Sequence, residues 1–179
     1  MKQLHEACCR GQLATIRQLL DGGVPVDALC AVGRTPLHTA ITFKQRESAK
    51  LLLDRGANVE AVYFGWTPLH HAVWVAVSED IAGLLLDRGA SAHAVSEGPG
   101  STTLHCAAYI GCIIIMGRLI DMGVSVDVRN NNGQTPLMLA SKDKKKEAVE
   151  FLLGRGAAIN AQDNDGENCS PQCMCPWQD

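Results

Sequence analysis

The chain has 179 residues, 46% of them apolar and 20% charged, with a formal net charge of −3. That apolar content excludes a disordered tail, and that length is enough to bury a core of ordinary size. The negative balance excludes a general electrostatic grip on nucleic acid, which needs a surplus of lysine and arginine.

The N-terminal stretch MKQLHEACCR has no apolar region of signal-peptide type. The longest apolar run, Cys106 to Met116, is too short and too broken by Gly111 to span a bilayer. The expectation is an intracellular protein, cytoplasmic or nuclear, with no membrane partner and with its eight cysteines reduced.

In chain order, the first element opens on Leu4-His5 and carries polar Lys2, Gln3, Gln12, Arg17 and Gln18, as suits the end of an array. Then a phrase recurs. GRTPLH begins at Gly33, GWTPLH at Gly65, GSTTLH at Gly100 and GQTPLM at Gly133, at glycine spacings of 32, 35 and 33. A second phrase keeps step with it, ending at Gly23, Gly56, Gly89, Gly123 and Gly156 in LLDGG, LLLDRG (twice), LIDMG and LLGRG. Self-similarity at such a period marks stacked supersecondary units.

Local chemistry explains one unit. Thr35, Thr67 and Thr135 are placed to cap helices whose first residues are Pro36, Pro68 and Pro136. Leu37, Ala40 and Ile41 then recur at helical spacing, and the small residues let helices approach closely. A turn follows near Lys44-Gln45. A second helix carries Ala49, Leu51, Leu52 and Leu53 and ends at Gly56, the residue best suited to a left-handed helix exit. A short extended segment, Asn58 to Ala61, leads to the next glycine-containing turn. No such unit buries its apolar face alone, so neighbours must stack.

Three places depart from the pattern. The third unit has an extra residue in VWVAVSED, the loop VSEGPGS before the fourth is two residues longer, and Thr103 replaces the helix-starting proline. The fourth unit also sets Ile113 and Ile114 where polar residues are expected.

These phrases resemble the ankyrin repeat family over nearly the whole chain. The resemblance implies an all-α ankyrin-repeat solenoid of helix-turn-helix units joined by β-hairpin loops. Five full repeats are expected, at about 2–30, 31–63, 64–97, 98–130 and 131–163, within a domain spanning 1–163. Residues 164–179 then hold a truncated sixth repeat and a cysteine-containing tail, as at the truncated or alternative end of a longer array.

No enzyme motif is present: no His-Glu-x-x-His, no Gly-x-Ser-x-Gly and no phosphate-binding glycine loop. No catalysis and no cofactor are expected. His5, His38, His70 and His105 share one repeat position, so they cannot converge on one metal. The resemblance implies that each ties its helix start to neighbouring backbone. His71 and His93 have no partner nearby in sequence. Cys169, Cys173 and Cys175 lack an adjacent fourth zinc ligand, so no metal site is expected. A metal- or thiol-responsive tail is the alternative reading. The run of Lys142, Lys144, Lys145 and Lys146 reads as a solvated turn. The resemblance also implies Asn160 as a site for asparagine hydroxylation.

In the family, hairpin tips and the exposed ends of first helices line a concave partner-binding face. Carried over by position, that face holds Arg34, Phe43, Tyr63, Phe64, Trp66, Trp74 and Tyr109, six of the eight aromatic residues together with one arginine. Only Phe151 reads as core. Aromatic anchors dominate interface energetics. The expected function is a non-catalytic, monomeric protein-protein interaction module with an unidentified protein partner. A recruiting fragment of a larger assembly is a further alternative.

Overall fold

The computed structural model describes residues 2–168; Cys169, Cys173, Cys175 and Trp177 lie outside the described residues, and the tail reading with them. The described residues form ten helices. They are α1 (Lys2–Arg10), α2 (Leu13–Asp21), α3 (Pro36–Thr42), α4 (Arg46–Asp54), α5 (Pro68–Trp74), α6 (Glu79–Asp87), α7 (Thr103–Ile110), α8 (Ile113–Asp121), α9 (Pro136–Lys142) and α10 (Lys146–Gly154). The architecture is an all-α repeat solenoid.

The chain divides into two compact units, Met1–Ser91 and Ala92–Asp179. In the first, α1 packs on α2, α3 on α4 and α5 on α6; α3 also packs on α1 and α5, and α4 on α2 and α6. In the second, α7 packs on α8 and α9, and α10 on α9 and α8.

The helix starts follow from the threonines. The hydroxyls of Thr35, Thr67 and Thr135 accept from the backbone N–H of His38, His70 and Met138, and proline fills the first helical position. Where Thr103 replaces proline, the start is held differently: the Thr102 N–H donates to His105 Nδ1 at 3.1 Å. Leu37, Ala40 and Ile41 are fully buried, as are Leu104, Ala107 and Ala108 of α7. The small residues leave room for the neighbouring helix. Second helices exit through Gly56, Gly89 and Gly156 at φ +83°, +86° and +87°.

The sequence period reappears in the bonds between successive repeats. Asp27 accepts from Asn58 N–H at 3.1 Å, Glu60 from Ser91 N–H at 2.7 Å and Asp127 from Ala158 N–H at 2.9 Å. Asp21 pairs with Arg55 and Asp54 with Arg88, both at 2.7 Å, and Asp121 with Arg155 at 2.8 Å. These pairs are exposed and set register more than they add stability.

Three expectations need correction. Asn58 to Ala61 is not extended: the Ala61 N–H closes a turn onto the Asn58 carbonyl at 3.2 Å, because Asn58 Oδ1 also accepts from Glu60 N–H. The hairpins contain single bridges, at Tyr63–Trp66, Val95–Thr102 and Gln162–Asn168, and not paired strands. Phe151 is half-buried and not core, since its ring lies under the Arg155 guanidinium, 4.9 Å away, on the outer helix α10.

Candidate functional site

The distinctive local structure of the first unit is the hairpin Tyr63-Phe64-Gly65-Trp66. Tyr63 and Trp66 exchange backbone hydrogen bonds of 3.0 and 3.1 Å. The two residues between them stand at φ +49° (Phe64) and +74° (Gly65). A two-residue hairpin turn of type I′ demands positive φ at both central positions, which favours Asn-Gly or Asp-Gly. Here the first of the two is a phenylalanine. Its side chain is 82% exposed, so burial does not offset the strain of a bulky residue in the left-handed region.

Behind the tip lies a continuous set of rings. Tyr63 meets Phe64 edge-on at 4.6 Å between centroids and contacts His38 and His71 at 5.5 Å each. His38 and His71 meet edge-on at 5.1 Å. Trp66 lies 5.8 Å from His70, 6.2 Å from His71 and 5.6 Å from Trp74. The Arg34 guanidinium sits 5.0 Å over the Tyr63 ring, and its Nη2 reaches the Tyr63 hydroxyl at 3.5 Å. Edge-to-face contacts of this kind hold aromatic rings in defined orientations.

Sequence position therefore placed most of these groups on one side of one unit, but not all at the surface. Phe64 is exposed, Trp74 is 38% exposed and Phe43, at the end of α3, is 48% exposed. Trp66 and Arg34 are half-buried. Tyr63 is a correction: only 9% exposed, it is the floor of the cluster and not part of its outer face, because Arg34 covers it and two imidazoles flank it. Phe43 has none of the ring contacts that join the others. Tyr109 is half-buried on α7 and belongs to the second unit. Val75 and Val77, which follow Trp74, add apolar surface, 49% and 53% exposed.

The residue that sequence reasoning missed is His71. Without an obvious partner in sequence, it is the hub of the cluster, touching His38, Tyr63 and Trp66. The signal was present: the doublet His70-His71 stands where three other repeats have a single histidine and the fifth has Met138, eight residues after a tyrosine.

The repeat histidines show what the cluster alters. In the second unit, His105 Nδ1 lies 2.9 Å from Thr102 Oγ1 and accepts from the Thr102 N–H, which leaves Nε2–H to donate to the Gln134 carbonyl at 3.0 Å. His5 Nε2 similarly lies 2.7 Å from the Ala28 carbonyl. His38 keeps the first half, with Nδ1 2.7 Å from Thr35 Oγ1. Its buried Nε2 has no hydrogen-bond partner, and neither has the buried Nδ1 of His71. His71 Nε2 makes a long bond to the Tyr63 carbonyl at 3.4 Å.

Burial, then the neighbouring His71 and Arg34, pushes the His38 pKa down from the usual 6.5 to about 4; the nearby Trp66 carbonyl, outside hydrogen-bond geometry, offsets only part of this. His71 is also lowered, chiefly by burial. Both rings are thus neutral at pH 7.

Among the described residues, no group of three or more His, Cys, Asp and Glu is arranged to hold a metal ion. Burial raises the thiols of Cys8 and Cys106 to about 12, which leaves them protonated and poor nucleophiles.

Comparison with known proteins follows the same lines. A family model described as ankyrin repeats (3 copies) matches residues 4–96 and again 74–163. The E3 ubiquitin-protein ligase KEG of Arabidopsis thaliana is 33% identical over 69 residues, 38% of this chain and 4% of its own length. The intracellular phospholipase A2 of Caenorhabditis elegans is 31% identical over 71 residues, 37% of this chain and 7% of its own. The human transient receptor potential cation channel subfamily A member 1 is 30% identical over 73 residues, 41% of this chain and 6% of its own. The match thus spans less than a tenth of the length of each of these three relatives.

Proposed function

This chain belongs to the ankyrin-repeat family, and we propose that it binds a partner protein through the aromatic hairpin and helix-end surface of its first unit. Ankyrin repeats are generally protein-protein interaction modules and generally non-catalytic; the choice of surface is the proposal. The observation that carries it is Phe64. The turn would be satisfied by asparagine or glycine at lower cost, yet it holds an exposed phenylalanine in a left-handed conformation. Trp74 and Val75 extend the apolar surface, with Trp66 and Tyr63 as support. Interface anchors are characteristically aromatic and set on a rigid base.

The test uses Phe64→Asn and Trp74→Ala, singly and together. Proteins captured from native extract by the parent chain and lost by the double variant are purified and titrated. Each single change is expected to weaken binding by about 2 kcal/mol or more, while the fold survives. Full affinity in the double variant would place the partner elsewhere.

A second reading, as the recruiting segment of a larger assembly, is supported by the small share of each relative that the chain matches. Native-size chromatography followed by mass spectrometry of the co-eluting chains tests it. Among the described residues, no helix is long and apolar enough to cross a membrane.

A further inference from the structure

Arg34 is a cation of the first unit that has no ion pair among the described residues and stands beside the aromatic surface. Elsewhere in that unit Arg10 pairs with Glu6 at 2.9 Å, Arg46 with Glu47 at 2.8 Å, and Arg55 and Arg88 with Asp21 and Asp54 at 2.7 Å. Arg34 has no carboxylate partner among the described residues. It is half-buried, its Nε is buried without an acceptor, and its one side-chain hydrogen bond is the 3.5 Å contact to the Tyr63 hydroxyl. The titratable side chains around it are His38, His71 and Tyr63. Burial lowers the pKa of both imidazoles and keeps them neutral at neutral pH, so neither cancels nor reinforces the guanidinium charge.

We infer that the partner element on this surface presents a carboxylate beside an apolar side chain, the carboxylate meeting Arg34 and the apolar group lying on Phe64 and the Trp66–Trp74 pair. This rests on the docking reading above and narrows it to one chemistry. A guanidinium held 5.0 Å over a ring and bonded to its hydroxyl is restrained, and a carboxylate matches its fork of N–H donors. A wholly apolar partner would cover Arg34 without pairing it, leaving a desolvated charge. A basic partner would meet like charge. Contacts of 6.2 Å or less run from Arg34 through the buried rings of Tyr63 and His71 to Trp66 and Trp74, so one packed cluster supports both the guanidinium and the exposed apolar groups.

The probe is a phage-displayed library of random short peptides selected on the full chain. Enriched peptides are synthesised and titrated against the parent, Arg34→Gln, Arg34→Lys, Phe64→Asn and Trp74→Ala. Thermal melting of each variant confirms folding. The enriched sequences are expected to carry Asp or Glu next to Leu, Phe, Trp or Ile. Arg34→Gln and the peptide's own Glu→Gln change should each weaken binding at least about tenfold. Combining them should cost little more than either alone, and Arg34→Lys should retain part of the affinity.

Peptides that depend on Phe64 and Trp74 but lack an acid, or that ignore Arg34→Gln, would overturn the inference and leave the docking surface standing. Peptides indifferent to Phe64→Asn and Trp74→Ala would overturn both. If no peptide enriches, the inference falls. Sedimentation then shows whether a second copy, released by Phe64→Asn, is the occupant.

Discussion

The hairpin tips of the two units solve one geometric problem in different ways. In the second unit the tips are polar and tied to each other. Asn131 N–H donates to the Pro99 carbonyl at 3.0 Å and its Nδ2 to the Gly98 carbonyl at 2.7 Å. One repeat later, Asn164 N–H donates to the Asn132 carbonyl at 3.0 Å and its Nδ2 to the Asn131 carbonyl at 2.9 Å. The asparagines lie so close over Gly100 and Gly133 that a Cβ at either glycine would collide. In the first unit nothing lies within 4 Å of where a Cβ would stand on Gly33, and the next tip is Phe64-Gly65 on a bed of stacked rings. The second unit ties its tips with asparagine hydrogen bonds; the first joins its tips through Arg34 on the Tyr63 ring and leaves Phe64 exposed.

If the difference is confined to the tips, the cores should respond alike. Leu69 on α5 is 1% exposed and Leu137 on α9 is fully buried. Leu69→Ala and Leu137→Ala should each cost about 2–5 kcal/mol, the largest effects expected here. Denaturant midpoints measure both. A Leu69→Ala cost near zero would mean that the first unit is packed less firmly than its burial implies.

Acid should separate the units. Unfolded, His38 takes up a proton near pH 6.5; folded, it refuses one until about pH 4. The stability contributed by the neutral buried ring is therefore complete above about pH 6.5 and is lost as pH falls toward 4. For His38 alone the loss is on the order of 3 kcal/mol. His71, also lowered, adds to it in the same direction. His105 is lowered too, but its Nε2–H is bonded, and it stands without a second buried imidazole against it. Hydrogen exchange at pH 7 and pH 5 should show α3 and α5 opening ahead of α7 and α9. Equal loss of protection in both units would contradict this assignment.

A smaller effect tests the asparagine ties directly. Asn131 is exposed, so its side-chain bond to Gly98 is worth about 1 kcal/mol, and Asn131→Ala should lower stability by that amount. Val32→Ala, at the corresponding tip of the first unit, should change stability by less than about 0.5 kcal/mol. Similar costs for the two would show that the tips of the second unit are not bonded as described.

The repeat phase was fully legible in the sequence. Thr-Pro starts, leucine-rich second helices and glycine exits are each local, and the structure places them where the spacing does. The acidic residues Asp27, Glu60 and Asp127 stood in phase too, although their role as acceptors for the following repeat shows only once repeats are stacked. The aromatic surface was half legible. Position alone put Phe64 and Trp74 outside, and they are 82% and 38% exposed, Trp74 being partly covered by Trp66. Position also put Tyr63 outside, and that failed, because whether a ring lies on or under a surface depends on what packs over it. Arg34, 29 residues away, supplies that cover. His71 was missed for the same reason: its contacts are with residues of the preceding hairpin and of α3, and no spacing rule links them.

The turn between paired helices offers the finest test of how far the first unit departs from its own pattern. In both units that turn needs one left-handed residue. Gly11 and Lys44 supply it at φ +68° and +55°, and Gly111 and Lys144 at +90° and +56°. The third such turn, after Trp74, supplies Val77 at +46°. A β-branched residue there is strained by about 1–2 kcal/mol, and Val77 is 53% exposed, so little burial offsets the strain. Val77→Gly removes the strain but returns backbone entropy to the unfolded chain, an opposing effect of about 0.5–1 kcal/mol. The net expectation is a stabilisation of about 0.5–1 kcal/mol, read as a small rise in the denaturant midpoint. The reverse exchange in the second unit, Gly111→Val, should destabilise, since the same strain is introduced where a glycine already fits. Its Cβ would meet the Lys145 side chain at an ordinary contact distance of 3.4 Å, so the backbone strain carries the effect. If Val77→Gly instead lowers the midpoint, the valine contributes packing that its exposure does not reveal. The extra residue after Trp74 would then be a support for the aromatic surface and not a strained insertion.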